Sequence, residues 1–167
     1  QKPRQRGVDD VVREVVALRR RGFRFILLSD DNFYPVTLAD LAAAGRRADK
    51  AHLENLKAIR AERFELMAQL ERLPDDLVFY TQITMEAAED PDFLKAMRRA
   101  KIRGALVGIE SVTPEGLKAV YKDFNMAGDA LVTRLQAFGH HGVHVLGSFI
   151  FGLPTDKPDT FKATAAL

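Results

Sequence analysis

Four short apolar runs, each following a helical stretch, end in polar or glycine-rich tips. They are Phe25-Ile26-Leu27-Leu28 leading to Ser29-Asp30-Asp31-Asn32-Phe33, Val78-Phe79-Tyr80-Thr81-Gln82, Ala105-Leu106-Val107-Gly108-Ile109-Glu110-Ser111, and Val145-Leu146-Gly147-Ser148-Phe149-Ile150-Phe151-Gly152-Leu153-Pro154. Alternation of this kind predicts an α/β fold of strand–helix units around a parallel sheet whose strands are buried on both faces. The carboxyl ends of such strands share one rim, and ligands bind there. Two acids, an amide, a further acid and a glycine corner then face one cleft.

The helical stretches are legible from spacing and stop signals. Val8 to Arg21 places Val11, Val12, Val15, Val16 and Leu18 at helical spacing, with Asp9 and Asp10 in the first turn and Gly22 as the stop. Phe23 to Leu28 is the first strand. Asn32-Phe33-Tyr34-Pro35 forms a turn and Thr37 a helix cap. The pattern from Leu38 to Leu73 is helical almost throughout, dividing near Asp49, and reads as a crossover enlarged by a helical insertion. Leu77 to Gln82 is the second strand. Pro91 then opens a helix reaching Lys101, at a favoured first-turn position. Gly104 to Ile109, a helix capped at Thr113, a helix from Ala127 to His141 and a strand from Val143 to Phe151 complete the units, and Pro158 opens a last helix. Four units cannot close an eight-stranded barrel but can form part of one. The chain begins at Gln1 and stops inside a helical run, so residues 1–167 read as a single partial domain of a longer protein, with no internal boundary.

Composition excludes several classes of chemistry. The 167 residues include no cysteine, so they contain no disulfide, no thiol nucleophile and no thiolate metal site. A net charge of +2, from 25 basic and 23 acidic residues, gives no whole-chain case for a nucleic-acid partner. The clusters Lys2-Pro3-Arg4-Gln5-Arg6 and Arg19-Arg20-Arg21 read as solvated cations, the second at a helix end where it offsets the dipole. No run reaches membrane-spanning length, no signal segment opens the chain, and no membrane partner is expected. A cytoplasmic location is the default. His140, His141 and His144 are interrupted by Gly142, which removes the helical spacing a metal pair would need.

At the rim, adjacent Asp30 and Asp31 point to opposite sides of an extended chain, so one of them at most faces the cleft centre. That carboxylate suits an ammonium group; the bland alternative is an acidic turn, in which Asn32 also serves. Gln82 reads as a buried amide that orients a ligand or ties down a loop. Gly108 marks close approach by backbone or ligand, and Glu110 at the strand tip suits a ribose diol or an amine, or caps the next helix. The two glycines around Phe149-Ile150-Phe151 offer an apolar ledge for a planar ring, or simply a bend in a twisted sheet. No P-loop, Gly-x-Gly-x-x-Gly or Ser-His-Asp spacing is present.

Taken in order, these tips resemble the radical S-adenosylmethionine (SAM) superfamily, especially its cobalamin-binding subgroup. The resemblance rests on Arg4 to Glu14, on Asp30-Asp31-Asn32-Phe33, on Gln82, on Gly108-Ile109-Glu110-Ser111 with Leu117-Lys118 and Lys122, and on Gly147-Ser148-Phe149-Ile150-x-Gly152-Leu153-Pro154. It covers nearly the whole chain. The resemblance implies a partial (β/α) barrel of six strands, of which this chain holds strands two to five. It also implies reductive cleavage of SAM at a [4Fe–4S] cluster to a 5′-deoxyadenosyl radical. Carried over by position, Asp30, Asp31 and Asn32 lie at the methionine amino group, and Glu110 and Ser111 at the ribose or the methionine carboxylate. Ile150, Gly152 and Leu153 lie on the adenine-side strand, and Gln82 faces SAM or substrate.

The departure from the family is the cluster itself. Members hold it with a Cys-x-x-x-Cys-x-x-Cys loop, and iron–sulfur clusters need thiolates; this chain has none. The ligands, and any cobalamin domain, are then expected outside these residues, and the isolated chain is expected to be inactive. A small-molecule or peptide substrate and an electron donor are the partners implied for the longer protein. Two other readings stay open: a non-catalytic α/β scaffold that lost the cluster, and an unrelated barrel enzyme using Asp30 and Glu110 as acid and base.

Overall fold

The computed structural model describes residues 6–47, 49–122 and 127–167. Lys2 to Gln5, including the Arg4 of the resemblance, and residues 123–126 lie outside the described residues.

Helix α1 (Val8–Arg20) opens with Asp9 and Asp10 and closes with Arg19 and Arg20, which complements its dipole. Gly22, at φ 97°, turns the chain into strand β1 (Phe25–Leu27). Helix α2 (Leu38–Arg46) begins in a reciprocal capping box between Thr37 and Asp40. Asp49 caps α3 (Lys50–Glu71) by accepting from the His52 N–H, so the division predicted at that residue is present. Strand β2 (Val78–Ile83) leads through a 3-10 turn, Met85–Glu89, into α4 (Pro91–Arg99), which Asp90 caps. Strand β3 (Ile102–Glu110), α5 (Pro114–Ala119), α6 (Asp129–His140), β4 (His144–Phe149) and α7 (Pro158–Ala165) follow.

The four strands form one parallel sheet in the order β1-β2-β3-β4. Spatial order thus equals chain order, as in a barrel wall. Alternate residues face opposite ways along each strand. One set, including Ile26, Phe79, Thr81, Ile83, Ala105, Val107 and Ile109, is buried. It packs with Val15, Leu66, Leu70, Phe93, Leu94, Met97 and Phe138 in a single core cluster.

The other face is open, which corrects the expectation of strands buried on both sides. On β1 only Ile26 is buried, while Phe25 and Leu27 are 60% and 61% exposed. Leu146 on β4 is 63% exposed. The apolar run is long enough to enter the sheet, but helices cover one face only. Two further boundaries differ. The first strand is shorter than predicted because Phe23 and Arg24 belong to the turn, and β4 ends at Phe149, so Ile150 to Leu153 form a loop rather than strand. The 38–73 segment divides between a crossover and an added piece. Helix α3 packs against α1 and α4 as the crossover helix itself, and α2 is the added piece.

Candidate functional site

The carboxyl ends of all four strands lie along one rim, joined by backbone hydrogen bonds from tip to tip. The Phe33 N–H donates to the Gln82 carbonyl (2.8 Å), tying the loop after β1 to the end of β2. Gln82 pairs in register with Leu106, Gly108 with Ser148 and Glu110 with Phe149. The Ile150 N–H donates to the Glu110 carbonyl (2.8 Å). With parallel strands about 4.8 Å apart, the rim from β1 to β4 spans roughly 14 Å. The Asp30 loop, Gln82, Glu110 and the Ile150–Leu153 loop are therefore neighbours in that order.

The two adjacent aspartates are in different situations. Asp30 is engaged on both oxygens: Oδ1 accepts from the Asn32 N–H (3.2 Å), and Oδ2 from Arg63 Nη2 (2.8 Å). Arg63 belongs to α3, is itself 6% exposed, and lies with its guanidinium 4.3 Å from the Phe33 ring centroid. Asn32 Oδ1 accepts from the Tyr34 N–H (3.0 Å), so Asp30 and Asn32 together shape the loop. Asp31 is exposed. The loop is anchored again at Tyr34, whose hydroxyl donates to Asp90 Oδ2 (2.9 Å). Asp90 also meets Arg60 Nη2 at 2.6 Å and accepts from the Phe93 N–H. Burial, with the Asp90 hydrogen bond, pushes the Tyr34 hydroxyl well above its usual pKa. Sequence reasoning missed Arg60 and Arg63, since nothing local distinguishes them from the other cations of α3.

Gln82 lies exposed on the open face rather than buried, because that face has no helical cover. Glu110 adopts φ 69°, a left-handed conformation that non-glycine residues seldom take. Its side chain folds back across Gly108, with Oε1 2.5 Å from where a Cβ on that glycine would stand. The close approach predicted at Gly108 is thus made by Glu110, beside a register shift between Gly108 and Glu110.

Ser111 is buried and turned into the start of α5. Its hydroxyl accepts from the Thr113 N–H (3.2 Å) and packs against Gly116, while Thr113 caps the helix. Ile150 is partly exposed at the rim, and Gly152 takes φ 88°. The Gly152 and Leu153 N–H groups both donate to Asp156 Oδ2 (2.8 and 3.0 Å). Asp156 is the residue that shapes this loop, and an acid just beyond a Gly-Leu-Pro turn was the available signal. Phe151 stacks between Phe149 and Phe161 at centroid distances of 6.3 and 5.5 Å, extending an apolar ledge.

A cleft of about 430 Å³ lies at the outer edge of β1, bordered by Val11, Leu18, Leu28, Asp30, Asp31 and Arg63. Gln82 and Glu110 do not line it, so the rim site is an open shelf beside this cleft. Among the described residues no group of His, Asp and Glu side chains could hold a metal ion. No helix among them is long and apolar enough to cross a membrane.

No family model matches the chain. The chain is 30% identical over 159 residues to a hopanoid C-2 methylase of Rhodopseudomonas palustris, an alignment covering 95% of this chain and 26% of that protein. Its fold is similar to that of the radical S-adenosylmethionine methyltransferase TsrM from Kitasatospora setae. One TsrM structure, with cobalamin and a [4Fe–4S] cluster bound, matches 97% of this chain and 28% of its own, at TM-score 0.65 and 19% identity. A second, with tryptophan and a SAM analogue (aza-SAM) bound, gives TM-score 0.62 at 20% identity. The chain spans about a quarter of the length of the proteins it matches. Four parallel strands in chain order, faced on one side by helices, give this chain an α/β fold similar to that of TsrM, in line with the partial barrel that the resemblance of its strand tips implies.

Proposed function

We propose that this chain is the SAM-binding part of a radical SAM methyltransferase, one partial domain of a longer cytoplasmic protein. The observation that carries the reading is the unbroken rim from the Asp31 loop through Gln82 and Glu110 to Ile150. It matches SAM group by group. Asp31 is an exposed carboxylate for an ammonium group. Glu110 is a carboxylate acceptor for ribose hydroxyls, held in place over Gly108. Ile150 and the Gly152 turn give an apolar edge for a purine. Asp30, Asn32, Ser111 and Leu153 act in this reading mainly through backbone and loop geometry, since their polar groups are engaged within the protein.

When bound at a cluster, SAM supplies a reductively cleaved C–S bond; this chain's residues bind the nucleotide and orient it. They supply no thiolate for a [4Fe–4S] cluster, so cluster and any cobalamin belong to polypeptide beyond these residues. The chain alone is then expected to bind SAM without turning it over. The open face, with Phe25, Leu27 and Leu146, suits an apolar methyl acceptor. That agrees better with the hopanoid methylase than with a tryptophan-binding enzyme. The likeness to two methyltransferases argues against a scaffold that has lost catalysis.

Calorimetric titration with S-adenosylhomocysteine tests the proposal. Glu110→Gln should weaken binding about 10-fold to 100-fold, the worth of a charge-assisted hydrogen bond. Binding that is absent in the wild-type chain, or unchanged in the variant, would remove the nucleotide from this rim.

A further inference from the structure

The opposite rim carries chemistry that nucleotide binding does not use. There the four helix-to-strand turns lie side by side. Arg19, Arg20, Arg21 and Arg24 occupy the first, Arg72 the second, and Arg98, Arg99 and Arg103 the third. Helix C-termini attract cations, but the accumulation here exceeds what the local acids neutralise. Asp76 takes both Arg19 (2.9 Å) and Arg24 (2.8 Å), Glu71 faces Arg99 at 3.3 Å, and Asp75 meets Lys101 at 3.6 Å. Arg20, Arg21 and Arg72 are exposed and form no ion pair among the described residues. Arg103 donates to the Arg98 carbonyl (2.8 Å), and burial together with the Arg98 charge holds its pKa below the usual arginine value. An anion brought to this rim would relieve that crowding.

A second, independent feature lies among the arginines. Phe23 is 54% exposed between Arg21 and Arg24. It stands in the segment between α1 and β1, ahead of the strand whose open face the methyl acceptor would use. Arginines surrounding a protruding aromatic match the requirements of a bilayer surface, where rings enter the headgroup region and cations meet anionic lipid.

We infer that the amino-terminal rim of the sheet is a peripheral docking surface for anionic phospholipid bilayers, with Arg20, Arg21 and Arg72 as the electrostatic contacts and Phe23 as the inserted side chain. The inference goes beyond SAM binding and stands whether or not that proposal holds. It adds a surface contact to a chain in which the sequence shows no spanning segment.

Co-sedimentation of the purified protein with vesicles tests it. Vesicles of phosphatidylcholine with phosphatidylglycerol should bring the protein down, vesicles of phosphatidylcholine alone should not, and added salt should release it. Replacing Arg20, Arg21 and Arg72 by Gln should lower the partition coefficient about fivefold per arginine. The corresponding Lys variants should retain binding, and Phe23→Ser should weaken it. All these side chains are exposed, and an unchanged melting temperature verifies that each variant is folded. Equal binding to both vesicle types, no binding to either, or Gln variants that bind like the wild type would overturn the inference. Capture on polyglutamate without vesicle binding would also overturn it, and would point to an acidic protein instead.

Discussion

Glu110 holds a conformation that costs a side-chain-bearing residue about 1–2 kcal/mol, at the point where β3 stops pairing regularly with β4. Glycine would adopt the same φ without that penalty but with more chain entropy to lose. Glu110→Gly is therefore expected to leave stability unchanged or raise it by up to about 1 kcal/mol in urea denaturation, while weakening S-adenosylhomocysteine binding. Opposite movement of the two quantities would mark the strain as serving the ligand; a parallel loss would make Glu110 a structural residue. Asp30 shows the reverse case. Its partner Arg63 is buried, so Arg63→Ala should cost about 2–4 kcal/mol by thermal denaturation, and the double variant with Asp30→Asn should cost less than the sum. From sequence, Glu110 stood out because a glycine precedes it within the strand and a helix cap follows. Asp30 was legible as a loop acid, but its engagement with Arg63 depends on a helix more than thirty residues away. No local pattern encodes that pairing, and none distinguished Asp31 as the exposed member of the pair.

At the scale of elements, most boundaries could be read because caps and breakers are local chemistry. Asp49, Pro91, Thr113, Gly142 and Pro158 each stand where the spacing puts them. The exposure of β1 could not be read in the same way. An apolar run looks alike whether one face or both are covered, and only tertiary packing decides. Helix α3 braces the rim from outside the sheet. It is the crossover helix, and Arg63 reaches from it to Asp30 in the rim loop while Arg60 reaches Asp90. Tyr34 is the far end of that bracing. Tyr34→Phe removes a hydrogen bond to a buried carboxylate that keeps Arg60 and the Phe93 N–H, and should lower stability by about 1–2 kcal/mol in chemical denaturation. A loss close to zero would show that the bracing comes from packing of the ring against Phe93 alone.

At the scale of the whole molecule, arginines gather along the amino-terminal rim of the sheet, while the carboxyl-terminal rim carries Asp31 and Glu110 together with the Asp30–Arg63 pair. Asp76 is the acid on that basic side that meets two arginines, Arg19 and Arg24. The Arg19 hydrogen bond is the largest cause holding its pKa below the ordinary value of 3.8, and the Arg19 and Arg24 charges add to it. A carboxylate depressed in the folded state contributes stability that is fully present above its unfolded value, about pH 4. That contribution is lost as pH falls through the lower folded value. Asp76→Asn should therefore be the less stable form at neutral pH, and the two urea midpoints should converge on acidification. A constant gap between them would separate Asp76 from the acid response.

The order β1-β2-β3-β4 also bears on synthesis. Each strand that leaves the ribosome finds its neighbour already emerged, and no strand waits for a distant one. Assembly can advance vectorially, one strand–helix unit settling against the last, so loop-closure entropy is met in small steps. The growing edge remains a templating surface at every stage.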